Sequence, residues 1–167
     1  DDDILILNGD VFFEESVLNL ALATTLNPVL FSDETRKEEA DYKLYYEDGR
    51  LLKYGKGLQG DDITGEYIGI ARINTDLLPL FRKRLEALVS AQKHNCWWED
   101  VLYSLSQEIR INVKDIGGLF WGEVDYIEDY NRIIQYKSLT NNTRISSMGR
   151  QCRGSFQWGW LGYWEPP

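Results

Sequence analysis

The feature that most constrains this chain is an apolar run that ends in an acid. Residues 4–7 are four consecutive aliphatic residues, two of them isoleucine, and this pattern predicts a fully buried strand. Asn8 and Gly9 end the run, and Asp10 follows at its carboxyl end. Ligands of open α/β sheets bind at the carboxyl ends of strands, so Asp10 is predicted to face a ligand or a metal ion. The alternative is that Asp10 only caps the helix behind it.

A second strand-like run also ends in acids. Residues 120–125 read Phe-Trp-Gly-Glu-Val-Asp, which places Glu123 and Asp125 two positions apart and therefore on one face of a regular strand. Carboxylate oxygens are preferred ligands of Mg²⁺. We predict that Asp10 and Asp125 lie at the carboxyl ends of neighbouring strands and share a metal ion, with Glu123 as a further ligand.

The order of elements predicts an α/β fold. A helix over 14–23 and a strand over 28–31 complete an opening βαβ unit, and Asp48-Gly49 marks a hairpin between two strand-like runs. The remaining predicted elements are a strand over 66–73, helices over 74–92 and 97–108, strands over 109–116 and 120–125, and a short helix over 128–134. We expect a Rossmann-like mixed sheet with flanking helices.

Charge divides the chain into two parts. Residues 1–136 carry a net charge of −12, whereas residues 137–167 carry +3. We therefore assign the α/β domain to residues 1–136 and interpret residues 137–167 as an irregular tail, because no helix or strand period fits them. Three origins stay open for the tail: a non-native extension, the start of a further domain, or a flap on the sheet.

Composition excludes several partners. The net charge of −9 argues against nucleic-acid binding, and no apolar run approaches the ~20 residues that span a membrane. No signal peptide is visible, and the two cysteines, Cys96 and Cys152, fit reduced thiols in a cytoplasmic protein. The only histidine, His94, has no accompanying nucleophile motif and is predicted to be a surface or capping residue.

Four motifs resemble one enzyme family. They lie at residues 5–10, 66–71, 98–100 and 123–130, in that order. Together they resemble the nucleotidyltransferases that activate sugar phosphates and choline phosphate, in particular the cytidylyltransferases for phosphocholine and aminoethylphosphonate. The resemblance implies a GT-A-like fold.

The resemblance also implies an activity and its residues. A nucleotidyl group, CMP from CTP, would pass to a small phospho- or phosphono-acceptor, with Mg²⁺ as cofactor and pyrophosphate as product. It assigns Mg²⁺ to Asp10, Glu123 and Asp125, and the acceptor phosphate to the catalytic lysines Lys43 and Lys56. The implied substrate-binding residues are Gly9, Glu66, Trp97, Trp98, Glu99 and Asp100.

Some of these residues have simpler interpretations. Tryptophan faces beside Glu99 and Asp100 suit an amine or quaternary ammonium group. The alternatives are core packing for the tryptophans, first-turn helix acids for Glu99 and Asp100, and ordinary surface lysines at 43 and 56.

One family motif is absent from the sequence. The family opens with a Gly-rich loop, Leu-Ala-Ala-Gly-x-Gly-Ser/Thr-Arg, and a downstream lysine that hold the nucleoside triphosphate, and neither occurs here. The chain also starts without Met, just before a core strand. We expect it to be the C-terminal part of such an enzyme, inactive alone. The alternatives are a sugar-1-phosphate nucleotidyltransferase, a glycosyltransferase of the same fold with Asp-x-Asp at the strand tip, or a non-catalytic interaction module.

Overall fold

The computed structural model describes residues 3–93 and 95–151, with side chains described up to residue 140. His94, Cys152 and the aromatic residues beyond it lie outside the described residues, so their predictions stay predictions. The chain forms two compact units, one ending at Asp125 and the other beginning at Tyr126.

The first unit contains eight strands and three helices. The strands are β1 Ile4–Leu7, β2 Val11–Phe13, β3 Val29–Asp33, β4 Lys43–Glu47, β5 Arg50–Tyr54, β6 Gly65–Ile73, β7 Asn112–Asp115 and β8 Trp121–Glu123. The helices are α1 Glu15–Ala23, α2 Leu78–Ser90 and α3 Glu99–Leu105. Short 3₁₀ turns occur at Glu34–Arg36, Gly60–Asp62 and Thr75–Leu77.

The main sheet is mixed, as predicted. Its strand order is β1-β6-β3-β7-β5-β4, and β4 also pairs with β6. The two strands of the opening βαβ unit, β1 and β3, both run antiparallel to β6, which lies between them. β3 and β7 pair in parallel. The α/β class is confirmed, and long β6 is the strand around which the sheet is built.

Apolar side chains cover both faces of this sheet. One cluster joins Leu30, Tyr67 and Ala71 of the sheet to Leu102 and Tyr103 of α3. The opposite cluster joins Val29, Phe31, Ile68 and Ile70 to Val17 and Ala21 of α1 and to Trp121 of β8. Alternate residues of β3 and β6 therefore pack on opposite faces of the sheet, as expected for strands, whose side chains alternate between the two faces. Both faces are apolar, so apolar residues follow one another directly in these strands.

The predicted hairpin is present. β4 and β5 pair antiparallel across Asp48 and Gly49. These turn residues have φ angles of 47° and 65°. Two consecutive positive φ angles match a type I′ turn, for which Asp-Gly is a favoured pair.

The first strand is less buried than predicted. Ile4 and Leu7 are 41% and 42% exposed. In the described part of the chain β1 pairs only with β6 and forms an edge of the sheet. Four consecutive apolar residues therefore indicated a strand correctly but did not indicate its position in the sheet.

The second acid-ended strand belongs to a separate sheet. β8 pairs antiparallel with the short strand β2, and the pair forms a two-stranded ribbon outside the main sheet. The prediction that Asp10 and Asp125 end neighbouring strands is therefore wrong in its topology: Asp10 precedes β2, and Asp125 follows β8.

The part of the second unit that the structure describes contains one helix, α4, at Ile127–Gln151. The predicted short helix over 128–134 continues through residues 137–151, so the prediction of an irregular tail is wrong for those residues. The boundary between the two compact units lies after Asp125, whereas the sequence predicted it at residue 136. Ser138 and Thr140 bond to the carbonyl oxygens of Ile134 and Tyr136 one turn earlier, which satisfies hydroxyls that otherwise disfavour a helix. Among the described residues no helix is both long and apolar enough to cross a bilayer.

Candidate acceptor and metal site

A cavity of about 220 Å³ lies within the first unit. It is lined by acids, by aromatic residues and by one lysine. The lining residues are Asn8, Asp10, Asp41, Tyr42, Lys56, Tyr67, Trp97, Glu99, Tyr103, Glu123 and Asp125. Asp10, Glu123, Asp125, Lys56, Trp97 and Glu99 were predicted from the sequence as site residues.

The ribbon brings the three predicted metal ligands to one wall. Val11 lies opposite Glu123 in the antiparallel register, and the backbone N–H of Val124 donates to the carbonyl oxygen of Asp10 at 2.9 Å. Because the strands run in opposite directions, the residue before β2 and the residues after β8 lie at the same end of the ribbon.

Glu123 is partly buried and lies near other negative charges. Partial burial, together with the negative charges of Asp10 and Asp125, raises the pKa of Glu123 to about 7. A cation between these side chains would oppose all of these effects. The donor chemistry therefore fits a hard cation such as Mg²⁺.

The carboxylates do not form a closed metal cage. Across residues 3–93 and 95–151, no three His, Cys, Asp or Glu side chains are close enough to hold a metal ion by themselves. Mg²⁺ commonly uses one or two carboxylates together with phosphate oxygens of a substrate. The arrangement fits that open kind of site, in which one or two of Asp10, Glu123 and Asp125 would hold the ion together with phosphate oxygens of a substrate.

Asn8 connects the first strand to α3. Its amide donates to Glu99 Oε1 at 3.3 Å, and its carbonyl oxygen accepts from Trp98 Nε1 at 2.9 Å. Since the indole can only donate and a carboxylate accepts, the two bonds fix the orientation of the amide. Trp98, predicted to bind substrate, therefore supports Asn8 and packs against the core instead of lining the cavity.

Residues 97–100, with the sequence Trp-Trp-Glu-Asp, have different roles from one another. Trp97 lines the cavity and is 68% exposed, so core packing is wrong for this residue. Glu99 lines the cavity although only 6% of it is exposed, and burial raises its pKa. Asp100 does not line the cavity, because its carboxylate accepts from the N–H of Trp97 at 2.7 Å and closes the first turn of α3.

The two predicted lysines occupy different positions. Lys56 lines the cavity, and its Nζ lies 2.5 Å from Asp41 Oδ2, an ion pair that raises the pKa of Lys56. Lys43 donates instead to the carbonyl oxygens of Lys56 and Leu58, at 3.2 Å each. Lys43 therefore holds the loop that carries Lys56 and does not line the cavity.

Glu66 and Gly9 lie outside the lining. Glu66 is buried, pairs with Arg36 at 3.3 Å, and accepts from the N–H of Asp41 at 2.8 Å. Burial raises the pKa of Glu66. Glu66 therefore positions Asp41, the partner of Lys56. Gly9 forms the turn between β1 and β2.

Sequence reasoning missed the aromatic floor of the cavity. Tyr42 and Tyr67 pack edge to face at 6.4 Å, and the ring of Tyr103 stacks on that of Tyr42 at 5.4 Å. Burial raises the pKa of Tyr67 and Tyr103 well above the usual value. Tyr67 lies within a motif used for the resemblance, so that motif was the available signal, whereas α3 offered no pattern that distinguishes Tyr103 from a core residue.

Comparison of the structure with solved proteins identifies the fold. The inositol-1-phosphate CTP transferase of T. maritima superposes with a TM-score of 0.56 at 18% identity, covering 77% of this chain and 51% of that one. A protein assigned as a glucose-1-phosphate thymidylyltransferase, from Bacillus anthracis, gives 0.58 at 8% identity, with coverages of 78% and 52%. The CTP:phosphocholine cytidylyltransferase of Streptococcus pneumoniae gives 0.58 at 14% identity, with coverages of 79% and 56%.

These neighbours define the class of fold as that of the nucleotidyltransferases. The resemblance predicted from the four sequence motifs is confirmed at the level of fold. This chain spans about half the length of each of these structures. No protein-family model and no curated protein matches the sequence.

Proposed function

We propose that this chain provides the acceptor and metal side of a Mg²⁺-dependent nucleotidyltransferase. The reaction would transfer CMP from CTP to a small acceptor such as phosphocholine or aminoethylphosphonate and release pyrophosphate. The observation that carries the proposal is the cavity itself, in which Asp10, Glu123 and Asp125 share one wall and Lys56 lies on the same cavity's lining.

The chemistry explains these residue types. An oxygen of the acceptor phosphate or phosphonate attacks the α-phosphorus in line, and negative charge accumulates on the phosphoryl oxygens. Mg²⁺, when bound, supplies charge neutralisation there. One or two of Asp10, Glu123 and Asp125 would hold the ion, and positioning of the two substrates would account for much of the remaining rate.

Lys56 would contact the anionic end of the acceptor. Its ammonium is paired with Asp41 at the rim of the cavity, and an incoming phosphate or phosphonate would compete with that carboxylate. Glu66 holds the backbone of Asp41 and Lys43 holds the loop of Lys56, so both sides of this ion pair are positioned by buried or bonded groups. This pairing keeps the lysine charged and directed at the site.

The lining favours a cationic acceptor over a neutral sugar. Among the described residues the cavity has five carboxylates and one lysine, so its net charge is strongly negative. Exposed Trp97 adds an aromatic face that suits an ammonium group. A sugar-1-phosphate acceptor has no positive charge to match this lining. It is therefore the second choice of substrate class.

The proposal is tested by nucleotide binding. We expect isothermal titration calorimetry to show CTP binding to the chain with Mg²⁺, and at least tenfold weaker binding with a chelator. Asp125→Asn should weaken CTP binding by about tenfold, since it removes one charged ligand, and tenfold corresponds to ~1.4 kcal/mol.

The matched control is Asp62→Asn. Asp62 is a half-exposed acid that pairs with Lys53 and does not line the cavity. The substitution Asp62→Asn should leave the affinity for CTP unchanged. Equal effects of the two variants, or CTP affinity independent of Mg²⁺, would contradict the proposed function.

A further inference from the structure

Three side chains of the cavity lining carry buried oxygens that have no hydrogen-bond partner. They are Tyr67 Oη, Tyr103 Oη and Glu99 Oε2, and none of them is satisfied within the described part of the chain. Tyr67, Tyr103 and Glu99 are 4%, 2% and 6% exposed. Native proteins leave few buried polar atoms unpaired, because each one costs free energy. Three such atoms around one cavity point to a ligand that supplies their partners.

The three side chains influence one another. Burial is the main cause that raises the pKa of both Tyr67 and Tyr103, and the negative charge of Glu99 and a neighbouring tyrosine raise each further. The rings of Tyr67 and Tyr103 meet edge to face, with centroids 6.5 Å apart. Asn8 already occupies the other oxygen of Glu99, so Oε2 is the atom left for a ligand.

A hydrogen-bond donor is the one kind of partner that all three oxygens can accept from. A carboxylate only accepts, and a tyrosine hydroxyl has lone pairs that accept as well as a proton that it can donate. A protonated primary amine carries three N–H donors and no acceptor, which matches three unpaired oxygens. Its positive charge also matches a lining that has more acids than lysines. A quaternary ammonium has the charge but no N–H group.

We propose that the cavity recognises a protonated primary amine and discriminates against a quaternary ammonium. This inference rests on the proposed function for the identity of the acceptor, and it makes an aminoethyl compound, rather than a choline compound, the substrate of that site. Lys56 would hold the anionic end of the same molecule, while Glu99, Tyr67 and Tyr103 would hold its amine.

The test compares three ligands that share one anionic end. The probes are 2-aminoethylphosphonate, its N-trimethyl derivative and propylphosphonate, which replaces the ammonium by a methyl group. Calorimetric titration of the chain should give the amine at least tenfold tighter binding than the trimethyl derivative, because quaternisation leaves the buried oxygens unpaired. Propylphosphonate should bind most weakly, since it lacks both the charge and the donors.

Two variants locate the effect. Tyr67→Phe removes one acceptor, so the amine should bind severalfold more weakly while the trimethyl derivative is unaffected. Glu99→Gln should weaken the amine by about tenfold and reduce the discrimination. Tyr46→Phe is the matched control: Tyr46 is also buried, but its hydroxyl bonds to Glu34 and lies outside the cavity. Circular dichroism verifies that each variant is folded.

The outcomes separate this inference from the proposed function. Equal affinities for the amine and its trimethyl derivative, tighter binding of the latter, or no binding of any probe would overturn the amine assignment, even if Mg²⁺-dependent CTP binding is found. Amine selectivity that Tyr67→Phe reduces, without any CTP binding, would support the amine site and contradict the nucleotidyltransferase function. If all variants fold but Tyr46→Phe matches Tyr67→Phe, the assignment of these oxygens is wrong.

Discussion

At the scale of single residues, the acids of the cavity differ in what surrounds them. Glu99 is held by Asn8, whereas Glu123 faces Asp10 and Asp125 without a described cationic partner in hydrogen-bond contact. Burial and these two charges raise the pKa of Glu123 to about 7. Repulsion of this kind is characteristic of ligand and catalytic sites, where charge is arranged for a partner that arrives later.

The raised pKa of Glu123 predicts a pH-dependent stability. In the absence of divalent cations the folded chain holds a proton that the unfolded chain releases above pH 4.5, so the free energy of unfolding should fall as pH rises from 4.5 to about 7. The substitution Glu123→Gln removes the titrating group, so the free energy of unfolding should no longer fall over this pH range. Because the side chain is half exposed, solvent screening limits the expected gain at pH 8 to about 1–2 kcal/mol.

Urea denaturation of both proteins at pH 5 and pH 8, with a chelator present, measures this effect. The advantage of Glu123→Gln should appear only at the higher pH, and added Mg²⁺ should reduce it by stabilising the unsubstituted chain. Glu86→Gln on the exposed face of α2 is the control and should show no such dependence. A constant difference between pH 5 and pH 8 would contradict the assigned environment of Glu123.

The sequence predicted six of the residues that line the cavity. Asp10, Glu123, Asp125, Glu99, Lys56 and Trp97 all line the cavity. The sequence did not distinguish these lining residues from Trp98, Asp100 and Lys43, which support the site through hydrogen bonds. That distinction depends on side-chain direction across long sequence separations, which no local pattern contains.

At the scale of elements, the site depends on how closely β6 approaches the turn between β1 and β2. Gly69 of β6 has φ of 73°, and its carbonyl oxygen accepts from the N–H of Asn8 at 2.9 Å. A Cβ at this position would lie 2.8 Å from Val11 Cγ2 and 3.1 Å from Asn8. Glycine is therefore required here both by the backbone angle and by the neighbouring side chains.

The substitution Gly69→Ala should destabilise the chain and disturb Asn8. We compare it with Gly117→Ala, where φ is also positive, at 67°, but a Cβ would meet nothing within 4 Å. The control should lose about 1 kcal/mol of unfolding free energy from backbone strain alone. Gly69→Ala should lose at least about 1 kcal/mol more, measured by urea denaturation. Similar losses at the two glycines would show that the close contact does not contribute.

Most elements were predictable from local patterns, and the ribbon was not. Alternation, apolar runs and the Asp-Gly turn identified the strands of the main sheet and the opening helix. β2 has three residues, too few for a detectable period, and β8 therefore had no visible partner other than the main sheet. The predicted topology of the metal site was wrong for this reason, although its residues do line one cavity.

At the scale of the whole molecule, the chain contains the acceptor side of the proposed site. It covers between 51% and 56% of the three structural neighbours. Its sequence contains no Gly-rich loop of the kind that the resembling family uses for the triphosphate. Backbone N–H groups at such loops bind phosphate strongly, and side-chain carboxylates do not replace them.

We therefore expect the chain to bind Mg²⁺, the acceptor and, through Mg²⁺, CTP, without catalysing transfer. A coupled assay for pyrophosphate, with CTP and either aminoethylphosphonate or phosphocholine, should show no release above the background. Steady release that Asp125→Asn abolishes would contradict this expectation and would place the triphosphate site within these residues.

The most direct test of the account is the location of a bound divalent cation. Mn²⁺ added at a small fraction of the protein concentration broadens amide NMR signals near its site. We predict that the signals of Val11, Val124 and Asp125 broaden first, because they flank the wall formed by Asp10 and Glu123. Broadening centred on the exposed acids Asp61 and Asp62, or equal broadening across the chain, would contradict a metal site in this cavity.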